Sequence, residues 1–160
     1  METKTIILII ISLLVLLLPF VFAYFNSKRK DNKTKSVLKK YADEYNFRLD
    51  ESNTLSNFAI GLDIEQGILI FIKLDNNQAS AEIVNLYDIK SVRLIKEKRS
   101  VKAGKSSTLI IEKVSIALTN KKADSKEIYL ELYDENVNLT LNGEIQVAEK
   151  WVCILEKAVK

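Results

Sequence analysis

Few side chains in this sequence are of a type that does chemistry. Histidine is absent and cysteine occurs once, at Cys153. Without an imidazole, Ser-His-Asp and Cys-His pairs cannot form, and a metal site loses its commonest ligand. A single thiol cannot build a thiolate cluster. Cys153 sits beside Trp151, Val152 and Ile154, apolar surroundings that suit a packing or surface residue rather than a reactive thiol. Two carboxylate pairs, Asp50-Glu51 and Asp134-Glu135, are of the kind that moves protons or holds a cation. Both fall in expected turns, where acids are common and solvated. Gly104-Lys105-Ser106 has the ending of a phosphate loop, but position 99 is arginine where that motif needs its first glycine, and no helix follows. The expectation is therefore no catalytic residue, no metal site and no cofactor, and a non-enzymatic binding or scaffold domain.

Charge and hydropathy carry more. Thr5 to Phe25 is a run of 21 residues without a charge. A helix of that length spans about 31 Å, the thickness of a hydrocarbon core. A cleaved signal would need a basic start, a shorter apolar stretch and a small-residue cleavage site. Here Glu2 and Lys4 cancel, and Phe22-Ala23-Tyr24-Phe25 offers no such pair. The run reads as a retained transmembrane helix, with Pro19 as a tolerated irregularity. Lys28, Arg29, Lys30, Lys33, Lys35, Lys39 and Lys40 follow it, against Asp31. Basic flanks stay cytoplasmic, so the expected topology is single-pass in a cell inner membrane, N-terminus out, C-terminal domain in the cytoplasm. Lys28, Arg29, Lys30, Lys33 and Lys35 are also candidate contacts for anionic lipid. Residues 41–160 carry 16 basic and 19 acidic side chains, a net of −3. Nothing there suggests nucleic-acid binding. Abundant Ile, Lys and Asn hint at a bacterial source.

These residues need elements to position them. Residues 1–27 form the expected anchor and 28–56 a basic juxtamembrane tether with one short helix. In that helix Val37, Leu38, Tyr41, Tyr45 and Phe47 recur at spacings of three and four. Residues 26–36 lack apolar period and are expected to be a short tether. Asp50 to Asn57 reads as a turn-rich break. Strands are expected where Ile60, Leu62 and Ile64 alternate with polar residues, over Ile68 to Leu74, Ala79 to Leu86 and Ser91 to Lys96. Glu97 to Ser107 reads as a polar loop. Across Arg93 to Lys105 it offers six basic side chains, either solvated or facing an acidic partner. Thr108 to Thr119 is a long strand with a bulge expected near Glu112-Lys113. Ile128 to Tyr133 follows, and Val137 to Leu141 is a further short strand. Tyr129 and Tyr133 share one face of their strand; they would dock a peptide or pack beneath the short helix, which needs a surface. From Glu144 on, Ile145, Ala148, Trp151, Val152, Leu155 and Val159 line one side of an amphipathic helix.

Seven antiparallel strands closed by a C-terminal helix bearing Trp151 resemble a pleckstrin-homology-like (PH-like) domain, over residues 57–160. The chain looks especially like small membrane-tethered PH-like proteins of bacteria. The resemblance implies a mainly β (α+β) sandwich of four and three strands, with Trp151 and Leu155 as a structural plug in one open corner. It also implies a protein partner or anionic lipid as ligand. Lipid-binding members carry basic residues at the first hairpin; here that turn is Asp63-Ile64-Glu65-Gln66-Gly67, a departure that argues against phosphoinositide.

Overall fold

The computed structural model describes residues 3–75, 78–103, 106–122, 124–138 and 140–159. The side chains of residues 3–6, 9, 23, 25–27, 30, 103 and 106 lie outside the described set. The chain folds as a long helix followed by two antiparallel sheets and a closing helix. Helix α1 (Thr3–Glu44) is followed by β1 (Glu51–Thr54), β2 (Phe58–Asp63), β3 (Ile68–Asp75) and β4 (Gln78–Asn85). A 3-10 turn (Leu86–Asp88) leads to β5 (Ile89–Ala103), β6 (Ser106–Asn120), β7 (Ile128–Asp134) and α2 (Glu144–Ala158). The first sheet has the order β1-β2-β3-β4 and the second β5-β6-β7. This is a mainly β, α+β fold compatible with a PH-like domain.

α1 corrects two expectations. Residues 26–36 are helical, and the expected short helix is the C-terminal part of one 42-residue helix. After Pro19 neither glycine nor proline interrupts the stretch. Lys and Arg are good helix formers, so a polar segment between two helical ones stays helical. The end is capped: Asn46 takes φ +56°, its amide donates to the Asp43 carbonyl, and the Phe47 amide donates to Ala42. That is a Schellman closure with asparagine at the left-handed position.

Two apolar layers hold the domain. The inner one fills the sandwich with Phe58, Ile60, Leu62, Leu69, Phe71, Val84, Ile116, Leu118, Leu130, Leu132, Trp151 and Leu155, among others. The second lies on the outer face of the first sheet, where Leu38 packs with Ala59, Ile70 and Ile72, flanked by Val37, Tyr41, Phe47 and Leu49. All six residues of β2 are therefore buried, since it has cover on both faces. Gly61 makes the second layer possible: a Cβ there would stand 2.6 Å from Leu49 Cδ2 and 3.4 Å from Leu38 Cδ1.

The strand total and the four-plus-three division match expectation, but membership is shifted. Glu51–Thr54, expected within a break, pairs with β2 as an edge strand. Residues 91–96, expected in the first sheet, belong to β5 in the second. Of the expected polar loop 97–107, residues 97–103 belong to β5 and 106–107 to β6, in register out to Ala103 and Ser106; Gly104 and Lys105 lie outside the described residues. Val137 to Leu141 forms no strand among the described residues, Leu139 being outside them. The expected bulge is present: Glu97 pairs with Lys113 and Lys98 with Ile111, which leaves Glu112 as the extra residue.

Candidate functional site

α2 is held by burial, hydrogen bonds and ion pairs. Trp151 and Leu155 are fully buried in the inner layer. The Trp151 indole Nε1 donates to Asn53 Oδ1 at 3.0 Å, which gives the indole its polar partner and ties the helix to β1. Lys96 pairs with Glu149 at 2.6 Å, tying it to β5. Gly143, at φ +101°, precedes the first turn, and Glu144 accepts the Asn142 amide with its carboxylate. Cys153 is exposed. Among the described residues no three His, Cys, Asp or Glu side chains converge to hold a metal ion.

Tyr129 and Tyr133 do not share a face, which corrects the expectation that they lie together on one side of their strand. Val114 pairs with Tyr133 but Ser115 pairs with Glu131, so Leu132 is an extra residue in β7. The bulge turns the strand, and Leu130, Leu132 and Tyr133 all point into the inner layer. Tyr129 remains exposed. Strict alternation is the signal that misled here, since a bulge resets it.

Of the basic residues of β5, Arg93, Lys96 and Arg99 are drawn into ion pairs. Arg93 meets Glu127 at 2.6 Å and Arg99 meets Glu135. On β6, Lys113 meets Asp134 at 3.0 Å. Glu127 also accepts from the Thr119 hydroxyl at 2.7 Å and from the Tyr129 hydroxyl at 2.8 Å. The Thr119 and Tyr129 hydroxyls, with Arg93, pull the Glu127 carboxyl from 4.5 down to about 2. Its stabilising effect is thus complete above the ordinary carboxylate range and is lost as pH falls toward 2. Asp63 behaves alike: burial pushes its carboxyl up, but the amides of Gln66, Arg48 and Glu65, with the Arg48 guanidinium, hold it below the ordinary value. Glu127→Gln should flatten the fall in melting temperature between pH 6 and pH 3; thermal scans at both pH values check this, and an unchanged difference would remove Glu127 from the acid response.

Of the juxtamembrane residues, Lys28, Arg29, Lys33 and Lys35 are exposed along α1, and the Lys30 side chain lies outside the described set. The Lys28 ammonium stands 4.9 Å from the centre of the Tyr24 ring, a cation–π contact. The described large apolar side chains from Ile7 to Phe22 are exposed. Among the described residues no helix is long and apolar enough to cross a membrane. Five positions of the 21-residue run (5, 6, 9, 23 and 25) fall outside the described side chains.

A groove that sequence reasoning missed opens between the first sheet and β7. It measures about 500 Å³ and is lined by Phe71, Lys73, Ser80, Ala81, Glu82, Tyr129 and Glu131. β3 and β4 supply one wall and β7 the other. Lys73 bridges the two through Glu131, and Asn57 Nδ2 donates to the Leu132 carbonyl at 2.9 Å beside it. Burial pushes the Glu82 carboxyl up. No family model, curated protein or solved structure matches this chain.

Proposed function

We propose that the chain is a membrane-anchored, non-enzymatic binding module whose PH-like domain engages a protein partner at the cytoplasmic face. The observation that supports it most is the division of labour along α1. One helix carries an uncharged run of 21 residues at one end, whose described side chains are exposed. At its other end it packs into the first sheet through Leu38. So large an apolar surface needs cover, and a bilayer supplies it. The full run, taken as a sequence, has the length and composition of a span.

The geometry sets how such a domain would stand. Thr34 is fully buried and its hydroxyl donates to the Ser56 carbonyl, while the Asn46 carbonyl accepts from Gln66 at the other end of β2. The helix therefore enters beside the β1–β2 connection. Residues 26–33 rise about 12 Å as a helix, so that end of the first sheet would sit close to the bilayer. A reporter fused after Lys160 should be active only in the cytoplasm. Changing Lys28, Arg29, Lys30, Lys33 and Lys35 to Gln should scramble the orientation; export of the wild-type fusion would refute the reading. A second reading, an anionic-lipid sensor, rests on the exposed basic flank. It requires the full chain in mixed-lipid nanodiscs to retain anionic lipid that the Gln variant loses.

A further inference from the structure

β4 is an edge strand with a partner on one side only, and it lacks the usual guards. Exposed edges are normally blunted by lysine, proline, bulges or a covering element. Gln78–Asn85 reads QASAEIVN; its register with β3 is unbroken, and its single charge is Glu82. α1 covers β2 and β3, which leaves Ile83 41% exposed.

The hydrogen-bond phase shows what the edge offers. The Leu86 amide donates to the Gly67 carbonyl, and the Leu74 amide to Asn57 on the β2 side. With the β3–β4 register, the alternation of an antiparallel ladder places Ser80, Glu82 and Val84 in bonded pairs with β3. Ala79, Ala81 and Ile83 then turn their N–H and C=O groups outward. An extended chain laid against them would set alternate side chains on two faces. One face is the groove, where Glu82 has no ion-pair or hydrogen-bond partner among the described residues, while Glu131 on the far wall is already paired with Lys73 and Lys113. The other is the apolar strip of Ala81 and Ile83, continuous with Ile70 and Ile72 through cross-strand pairs.

We propose that β4 docks an extended segment of a partner protein that alternates basic and apolar side chains. A basic residue would enter the groove toward Glu82, and the apolar residues would cover Ile83. A second copy of this chain fits less well. Antiparallel pairing of two β4 strands centred on Glu82 brings the two Glu82 carboxylates together, and like charges across a pair repel. The proposal rests on the binding-module reading and adds the site and the chemistry of the partner.

The test uses the full chain in detergent micelles and two labelled octapeptides, one alternating Lys and Val, the other Glu and Val, read by fluorescence anisotropy. The Lys-Val peptide should bind below about 100 μM, and the Glu-Val peptide about ten-fold or more weaker. Ala81→Pro removes an outward amide that β3 does not use, so circular dichroism should stay native while binding is lost. Glu82→Lys should weaken the Lys-Val peptide about ten-fold or more. Equal binding of both peptides, or no binding of either, overturns the proposal. Lys-Val binding that survives both substitutions also overturns it, while leaving a binding module with its site elsewhere. A shift from dimer to monomer on Ala81→Pro would assign the edge to self-association and overturn the partner assignment.

Discussion

Trp151→Ala should lower the stability of the domain by about 3–5 kcal/mol. Burying about 200 Å² of indole is worth about 5 kcal/mol at 25 cal/mol per Å², and truncation also leaves a cavity between α2 and the two sheets. Asn53 would lose the indole donor, keeping only Lys150 at 3.3 Å. Domains are stable by only about 5–15 kcal/mol, so the variant should be partly unfolded in urea titrations of the full chain followed by circular dichroism. Trp151 is also the one tryptophan in the chain. Wild-type emission should be that of a buried indole and should shift to the red in the same transition. Lys150→Ala is the control. Its ammonium is 3.7 Å from Glu51 with half its side chain in solvent, so the change should cost under about 0.5 kcal/mol. Equal, mild losses for both would mean that α2 does not close the inner layer.

The same helix shows how far the sequence can be read. Ile145, Ala148, Trp151, Val152 and Leu155 recur at a helical spacing because one face of α2 meets the core and the other meets water. Periodicity reports burial, so it finds elements that are half buried and misses those that are not. Glu51–Thr54 is polar and takes its strand conformation from pairing with β2 and from the Asn53–Trp151 hydrogen bond. The β2 pairing is a local hairpin, but its polar residues carry no apolar period to mark it, and Trp151 lies 98 residues away. The distal β5–β6 hairpin is polar for the same reason and is held by its cross-strand ladder. The groove escaped notice because its walls come from strands about fifty residues apart, and its key carboxylate, Glu82, is an ordinary polar residue in an alternating strand. Where a bulge needed only local conflict, as at Glu112 between the apolar stretches Leu109–Ile111 and Val114–Leu118, it was legible. At Leu132 no polar residue marked it.

The continuous α1 supplies the last large effect. Leu38 is 2% exposed and lies over Gly61 in the layer between α1 and the first sheet. Leu38→Ala should cost about 2–4 kcal/mol, the lost burial plus a cavity that Gly61 has no side chain to fill. The loss should be local. The inner layer contains none of the described α1 side chains, so amides of residues 34–44 should exchange faster while those of β6 keep their protection. Hydrogen exchange by mass spectrometry on the full chain separates the cases. Faster exchange confined to α1, β2 and β3 fits a helix docked as a rigid strut on a sandwich that stands without it. A uniform rise across β5, β6 and β7 would mean that the two layers fold as one unit. No change at residues 34–44 would mean that they carry no docking energy, and the domain would then hang from α1 on a joint rather than a strut.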